Sequence, residues 1–194
     1  MSDEFARIFS DVATQMAAVA KSSYVVEVAQ AGDLLYAAFV SGHTLYAFGN
    51  GGSAADALHV TAELVGRFSA ERRPLPAVAL SANEALLTAW SNDHSFDDVF
   101  ARQIEALGKP GDVALGISTS GASANVVRAL QAARARGLKT IALTGARGRH
   151  LAGSVDLLLA VPLESTPRVQ EVHVVTYHAI CAALDARLLQ ANLG

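Results

Sequence analysis

Hydrophobic positions along the chain switch repeatedly between a helical and a strand period. Residues 2–20 and 24–40 place apolar side chains at helical spacing among many alanines, which predicts two amphipathic helices, the second ended by Gly42 where a helix commonly needs a left-handed residue. Short apolar runs follow: "TLYAFG" (44–49), "AVAL" (77–80), "VALGIS" (113–118), "TIALTG" (140–145) and "DLLLAVP" (156–162). Each has strand length and most lack polar alternation, as expected for a parallel sheet covered on both faces. Helical periodicity returns over 53–66, over 83–107 with a break at "SNDHS", over 122–136 up to Gly137, and in a closing helix over about 168–190. The alternation predicts an α/β fold, a three-layer doubly wound sandwich with a mostly parallel sheet of about five strands, preceded by N-terminal helices. Without repeats, linkers or low-complexity segments, 1–194 reads as a single domain, with 1–42 as helices for oligomerisation and 43–194 as the α/β core and C-terminal helix.

Composition narrows what such a domain does. A chain of 194 residues can bury roughly 70% of its unfolded surface around one core. Hydrophobic residues make up 52% and charged ones only 17%, too few for a disordered chain; the balance implies surface hidden against partners, hence an oligomer. The net charge is −3, and basic residues gather no more densely than in "ERRP" and "RARGLK", so no stripe tracks a nucleic-acid backbone and no nucleic-acid partner is expected. The single Cys181 lies in an apolar helical pattern and cannot form an internal disulfide, which fits a core position in a reducing compartment. "MSDEFARIFS" is acidic and lacks the order of a signal peptide, and no apolar run approaches the roughly 20 residues of a membrane span. A cytoplasmic protein with no membrane partner is expected.

Doubly wound folds bind ligands beyond the carboxyl ends of their strands. Two strand ends are unusual here: "GNGGS" (49–53) and "STSGAS" (118–123), each leading into a helix. Glycines admit a ligand close to the backbone, hydroxyls donate hydrogen bonds, and a helix N-terminus adds unpaired N–H groups, a combination suited to a phosphate monoester. The alternative is a tight turn and an N-cap, with Ser123 as the capping residue. Neither a G-x-G-x-x-G nor a P-loop pattern is present, which disfavours a nucleotide.

The helix after the first loop carries His59 and Glu63 one turn apart on one face, readable as an exposed pair or as chemistry. The closing helix carries Gln170, Glu171, His173 and His178 among apolar residues; a buried, satisfied imidazole is the plain reading of either histidine, and His178, between Val174, Val175, Ala179 and Ile180, is the one expected to need a partner or a metal. Imidazoles and a carboxylate favour zinc or a similar divalent ion. Gln170 and His178 are eight residues apart, about 12 Å of rise and roughly 80° in azimuth, which strains the idea of a single ion between them.

"GNGGSAADALHVTAELVGRF", "WSNDHSFDDVFARQIEALGKPGDVALGISTSGASANVVRALQAARARGLKTIALTG" and "STPRVQEVHVVTYHAICAALD" resemble the sugar isomerase (SIS) domain and, within it, the phosphoheptose isomerases, over about residues 30–188. The resemblance implies a homotetramer that converts sedoheptulose 7-phosphate into D-glycero-D-manno-heptose 7-phosphate, a phosphorylated seven-carbon sugar on the way to cell-surface heptose. It implies phosphate on Ser118, Thr119, Ser120 and Ser123; sugar contacts from Asn50, Gly51, Gly52 and Ser53, and from Asn92 and Asp93; and one zinc per subunit on His59, Glu63, Gln170 and His178. Aldose–ketose isomerisation needs a base at the carbon beside the carbonyl and an acid at its oxygen, here Glu63 and His178, with partial desolvation raising the Glu63 pKa toward ~6–7. Gln170 would also orient substrate. Arg147, Arg149 and His150 in "TGARGRHLAG" depart from the family's pattern and read as a solvated basic loop or an altered phosphate-side or interface contact. Arg67 reads either as surface charge at a helix end or as a contact to a neighbouring subunit. Two rivals stand beside the isomerase: a related non-catalytic SIS protein that binds the replication initiator, which lacks counterparts of Glu63 and His178, and an SIS isomerase of another sugar phosphate.

Overall fold

A computed structural model describes residues 1–191, so the last three residues of the expected 1–194 domain lie outside the described ones. Two helices come first, α1 (Ser2–Val19) and α2 (Tyr24–Val40). Past α2 the backbone turns left-handed at Gly42 (φ +79°), and the His43 N–H reaches back to the Ala38 carbonyl at 2.9 Å. That bond satisfies a carbonyl of the last helical turn, and the φ it requires is cheap only without a Cβ.

The remaining elements are β1 (Leu45–Gly49), α3 (Gly52–Val65), β2 (Ala77–Ala79), α4 (Glu84–Asp93), a 3₁₀ turn (Phe96–Asp98), α5 (Val99–Leu107), β3 (Val113–Ser118), α6 (Ala124–Ala135), β4 (Lys139–Gly145), a second 3₁₀ turn (Ala146–Leu151), β5 (Leu157–Val161) and α7 (Thr166–Gln190). The expected break at "SNDHS" is real: α4 ends at Asp93, and the Ser95 hydroxyl accepts the Asp97 N–H to start the 3₁₀ turn. The five strands are ordered β2-β1-β3-β4-β5, and every pairing is parallel, so the expectation of a mostly parallel sheet sharpens to a wholly parallel one among the described residues.

Both faces of the sheet are covered. Leu45 and Ala47 of β1 pack in one core with α2, α3 and α7, while Tyr46 and Phe48 pack in the other with α5 and α6. This two-sided burial explains strands written as continuous apolar runs. Phe48 is fully buried with its ring 5.5 Å from that of Phe100, and truncating either to Ala would cost about 3–5 kcal/mol. Helix α7 is long and apolar enough to cross a membrane by length and composition, but half of its most apolar stretch is buried inside the fold, as in a core helix. Tyr24 Oη, 2.7 Å from Thr176 Oγ1, ties α2 to it.

From β1 the chain steps to β2 on one side and later to β3 on the other. The helices leaving β1 and β3 therefore depart to opposite faces, opening a crevice at the carboxyl ends of these two strands. Helix α1 behaves differently from the rest: it buries only Val19 and leaves Phe5 and Phe9 58% and 75% exposed.

Candidate active site

The two unusual loops flank this crevice. Behind β1, Gly49 has no room for a side chain, since a Cβ there would stand 2.7 Å from Ser53 Cβ and 2.8 Å from the Ile117 carbonyl. The loop tightens through the Ser53 N–H to the Asn50 carbonyl (3.0 Å) and enters α3 at Gly52, with Ser53 buried beneath. Behind β3, the Gly121 N–H bonds the Ser118 carbonyl at 3.0 Å, and Thr119 and Ser120 are half-buried at the rim. Ser123 occupies the N-cap position of α6, yet its hydroxyl makes no cap; it lies 3.1 Å from the Ser118 hydroxyl. The capping role considered for Ser123 is thus corrected: the first-turn N–H groups of α6 are not consumed by its side chain. Neither α3 nor α6 has a side-chain cap, and two helix N-termini, each carrying partial positive charge, face one crevice.

Helices α3 and α7 pack side by side. A Cβ at Gly52 would collide with the Gln170 carboxamide, Asp56 stands near His173, and His59 meets Tyr177 and His178. Contacts that ascend together in both helices mean that the two run parallel, with Gln170 at the level of the first loop and His178 two turns below it. There the expected residues converge. His59 Nε2 is 3.1 Å from Glu63 Oε1 and 3.4 Å from His178 Nε2, and one donor atom from each residue lies within 4.8 Å of the others. Two nitrogens at the usual zinc distance on a tetrahedral centre are about 3.3 Å apart, so the donor set and its spacing fit a divalent ion. His59 is exposed, Glu63 and His178 half-buried, and the Phe68 and Tyr177 rings lie 5.2 Å and 5.0 Å from the His178 ring.

Behind the cluster lies a layer that the sequence did not announce. Tyr177 Oη is 2.9 Å from His59 Nδ1 and reaches Asp56 Oδ1 at 3.5 Å, so a buried phenol orients the imidazole from behind. Burial raises the Asp56 pKa to about 6, against the opposing pull of Tyr177 and His59. The two α7 histidines differ in burial: His173 is fully enclosed in the core, whereas His178 is half-buried among aromatic rings and meets His59, in line with the expectation that it would need a partner. His173 Nδ1 is 4.0 Å from Asp56 Oδ2, and burial lowers the His173 pKa to about 4, which keeps it neutral. The C-terminus of α3 is held by Arg72, whose buried guanidinium donates to the Glu63 and Leu64 carbonyls and meets Asp185 of α7 at 2.7 Å. Asp185 also accepts the Ser69 and Ala70 N–H groups, and these bonds together hold its pKa below the usual carboxylate value despite burial.

Other expected residues stand apart. Asn92 and Asp93 end α4, which packs through Leu87 and Trp90 on the opposite face of the sheet from α3 and α7; their side chains bond each other at 2.9 Å, and no hydrogen bond or ion pair joins them to the histidine–glutamate cluster. Arg147, Arg149 and His150 are exposed on the second 3₁₀ turn, with His150 Nδ1 3.0 Å from the Arg147 carbonyl. That turn presses on the second loop, because a Cβ at Gly121 would stand 2.6 Å from Gly148 Cα. Arg67 forms a surface pair with Glu71 at 3.1 Å. Cys181 is fully buried, and burial raises its thiol pKa to about 12.

Comparison with known proteins bears on this geometry. Residues 8–145 match the SIS domain family. The phosphoheptose isomerase of Crocosphaera subtropica is 53% identical over 150 residues, covering 77% of this chain and 76% of that protein. Among solved structures, phosphoheptose isomerase from Neisseria gonorrhoeae superposes with a TM-score of 0.89 at 41% identity, covering 95% of this chain and 98% of the other. A phosphoheptose isomerase from Francisella tularensis does so with a TM-score of 0.88 at 34% identity, covering 95% and 97%.

Proposed function

The chain belongs to the SIS-domain family and, within it, to the phosphoheptose isomerases, and we propose that it interconverts sedoheptulose 7-phosphate and D-glycero-D-manno-heptose 7-phosphate through an enediol. The observation that carries the reaction is the meeting of His59, Glu63 and His178 below two loops built for a phosphosugar. A purely binding role would leave that meeting without purpose.

The phosphate sits on Ser118, Thr119, Ser120, Ser123 and the first N–H groups of α6, where charge-assisted hydrogen bonds hold the end of the substrate far from the chemistry. Asn50, Gly51, Gly52, Ser53 and Gln170 read the sugar, with Asn92 and Asp93 as further contacts. Binding energy gathered at the phosphate thereby fixes the reacting carbons. Glu63 removes the proton from the carbon beside the carbonyl and returns it to the neighbouring carbon, while His178 protonates the carbonyl oxygen and recovers a proton from the adjacent hydroxyl. Glu63 Oε1 faces His59, so Oε2 is the oxygen free to carry the proton. One zinc ion per subunit would be held by His59, Glu63 and His178, with His178 Nε2 toward the ion and its Nδ1 left to carry the proton, and Gln170 would join them only by lifting its carboxamide from Gly52. When bound, the ion polarises the carbonyl as a Lewis acid.

The protein works as a cytoplasmic homotetramer supplying heptose for cell-surface glycans. The apolar residues left open on α1, Phe5, Ile8 and Phe9, support assembly through the N-terminal helices. The deciding experiment compares wild type with Glu63→Gln on sedoheptulose 7-phosphate, following product and solvent-deuterium exchange. Wild-type turnover and exchange, with both lost in a folded variant, support the reading; wild-type binding without either would overturn it.

A further inference from the structure

Asn125 is 2% exposed at the second position of α6, and its hydrogen bonds do not go to the helix backbone. A carboxamide in such a place is costly unless its donor and acceptor are both met. Both are met by Asn50 across the crevice: Asn50 Nδ2 donates to Asn125 Oδ1 at 2.8 Å, and Asn125 Nδ2 donates to Asn50 Oδ1 at 2.9 Å. Among the described residues no other side-chain hydrogen bond joins the two loops. The β1–β3 ladder ends at Gly49 and Ile117. Beyond it, this closed pair alone spans the point where α3 and α6 leave for opposite faces.

We propose that Asn125 is a positioning residue for the isomerisation: through its reciprocal carboxamide pair it fixes Asn50, and with it the first loop, at a set distance from the phosphate loop. The pair uses one N–H and one acceptor site of Asn50 and leaves a second N–H and a second lone pair for a sugar hydroxyl. If Asn50 alone rotated its carboxamide by half a turn, oxygen would face oxygen and both bonds would be lost, so the groups offered to the sugar are set from behind by a residue that does not touch it. The phosphate contacts, from the hydroxyls of Ser118 to Ser123 and the first backbone N–H groups of α6, use no side-chain atom of the pair. Asn125 should therefore govern how the sugar end is presented and not whether the phosphate is held.

This inference rests on the isomerase reading, and the test separates the two. In Asn125→Ala, kcat on sedoheptulose 7-phosphate should fall about ten- to hundred-fold, the loss expected from a small misplacement of the reacting carbon, while the Kd for inorganic phosphate by calorimetry changes less than about three-fold. In an Asn50→Ala background the same substitution should cause no further fall in kcat, since the partner through which it acts is gone. A kcat unchanged in the single variant, an equal fall in both backgrounds, or a parallel loss of phosphate affinity would each overturn the proposal. Asn125→Asp keeps the volume and accepts from Asn50 but offers its Oδ1 no donor; it carries the same expectation should Asn125→Ala not fold, and failure of both to fold would make Asn125 a folding residue and overturn the proposal. If the wild type binds the sugar phosphate without turnover, the isomerase reading fails, while the pair still predicts about ten-fold weaker calorimetric binding of sedoheptulose 7-phosphate, with inorganic phosphate spared, in Asn125→Ala.

Discussion

Around the crevice between β1 and β3, polar side chains are matched to one another: Asn50 with Asn125, Ser118 with Ser123. Two turns down α3 the arrangement is opposite, because His59, Glu63 and His178 aim their donor atoms at a common point. The first region is assembled before any ligand arrives. The second concentrates lone pairs that only a proton or a cation can reconcile. An enzyme that must grip an unchanging phosphate and act on a changing carbon needs both kinds of environment, a rigid one for the handle and an unsatisfied one for the chemistry.

The contrast is broken most severely at the unsatisfied end. Glu63→Gln should lower kcat about 10³-fold or more while phosphate affinity stays within a few-fold, as steady-state assay and calorimetry would show. Below that in effect stands the frame that sets the α3–α7 spacing. Arg72→Leu strands Asp185 in the core and should cost on the order of 3–5 kcal/mol in denaturant unfolding, whereas Arg72→Leu with Asp185→Leu should recover much of the loss. His178→Ala should weaken zinc binding by at least about 100-fold, measured by competition with a chromophoric chelator, with the fold intact. At the matched end the loss is smaller and of another kind: Ser120→Ala should raise KM about ten-fold with kcat little changed.

The smallest expected effect belongs to the buried layer. His173 titrates near 4 in the fold but near its ordinary value of 6.5 when unfolded, so the unfolded chain takes up a proton that the native protein refuses. Its contribution is full above pH 6.5 and disappears as pH falls toward 4. The melting temperature of His173→Leu should therefore drop less between pH 7 and pH 4.5 than that of the wild type, by calorimetry at both pH values.

Much of this was legible in the sequence. Continuous apolar runs set the parallel sheet, Gly42 ended α2 as its position foretold, and the spacing of His59 and Glu63 put both on one face of α3. What escaped depended on partners distant in the chain. Asn125 looked like one more polar residue in a serine-rich stretch, since its meaning lies in Asn50, and Arg72 with Asp185 forms a pair only because α3 and α7 are neighbours in space. The burial of the α7 histidines was hidden by the same limit: apolar neighbours in sequence surround His178, but a helix has an outer side as well, and it is His173 that faces the core while His178 meets His59.

The side-by-side packing of α3 and α7 also bears on synthesis. The histidine–glutamate cluster joins α3 to α7, and α7 also brings Val172, Tyr177, Cys181 and Leu184 to the core on one face of the sheet, so a nascent chain can close neither that core nor the cluster until α7 has been made. The element that completes the fold thus also completes the cluster, and no partly made chain carries one without the other.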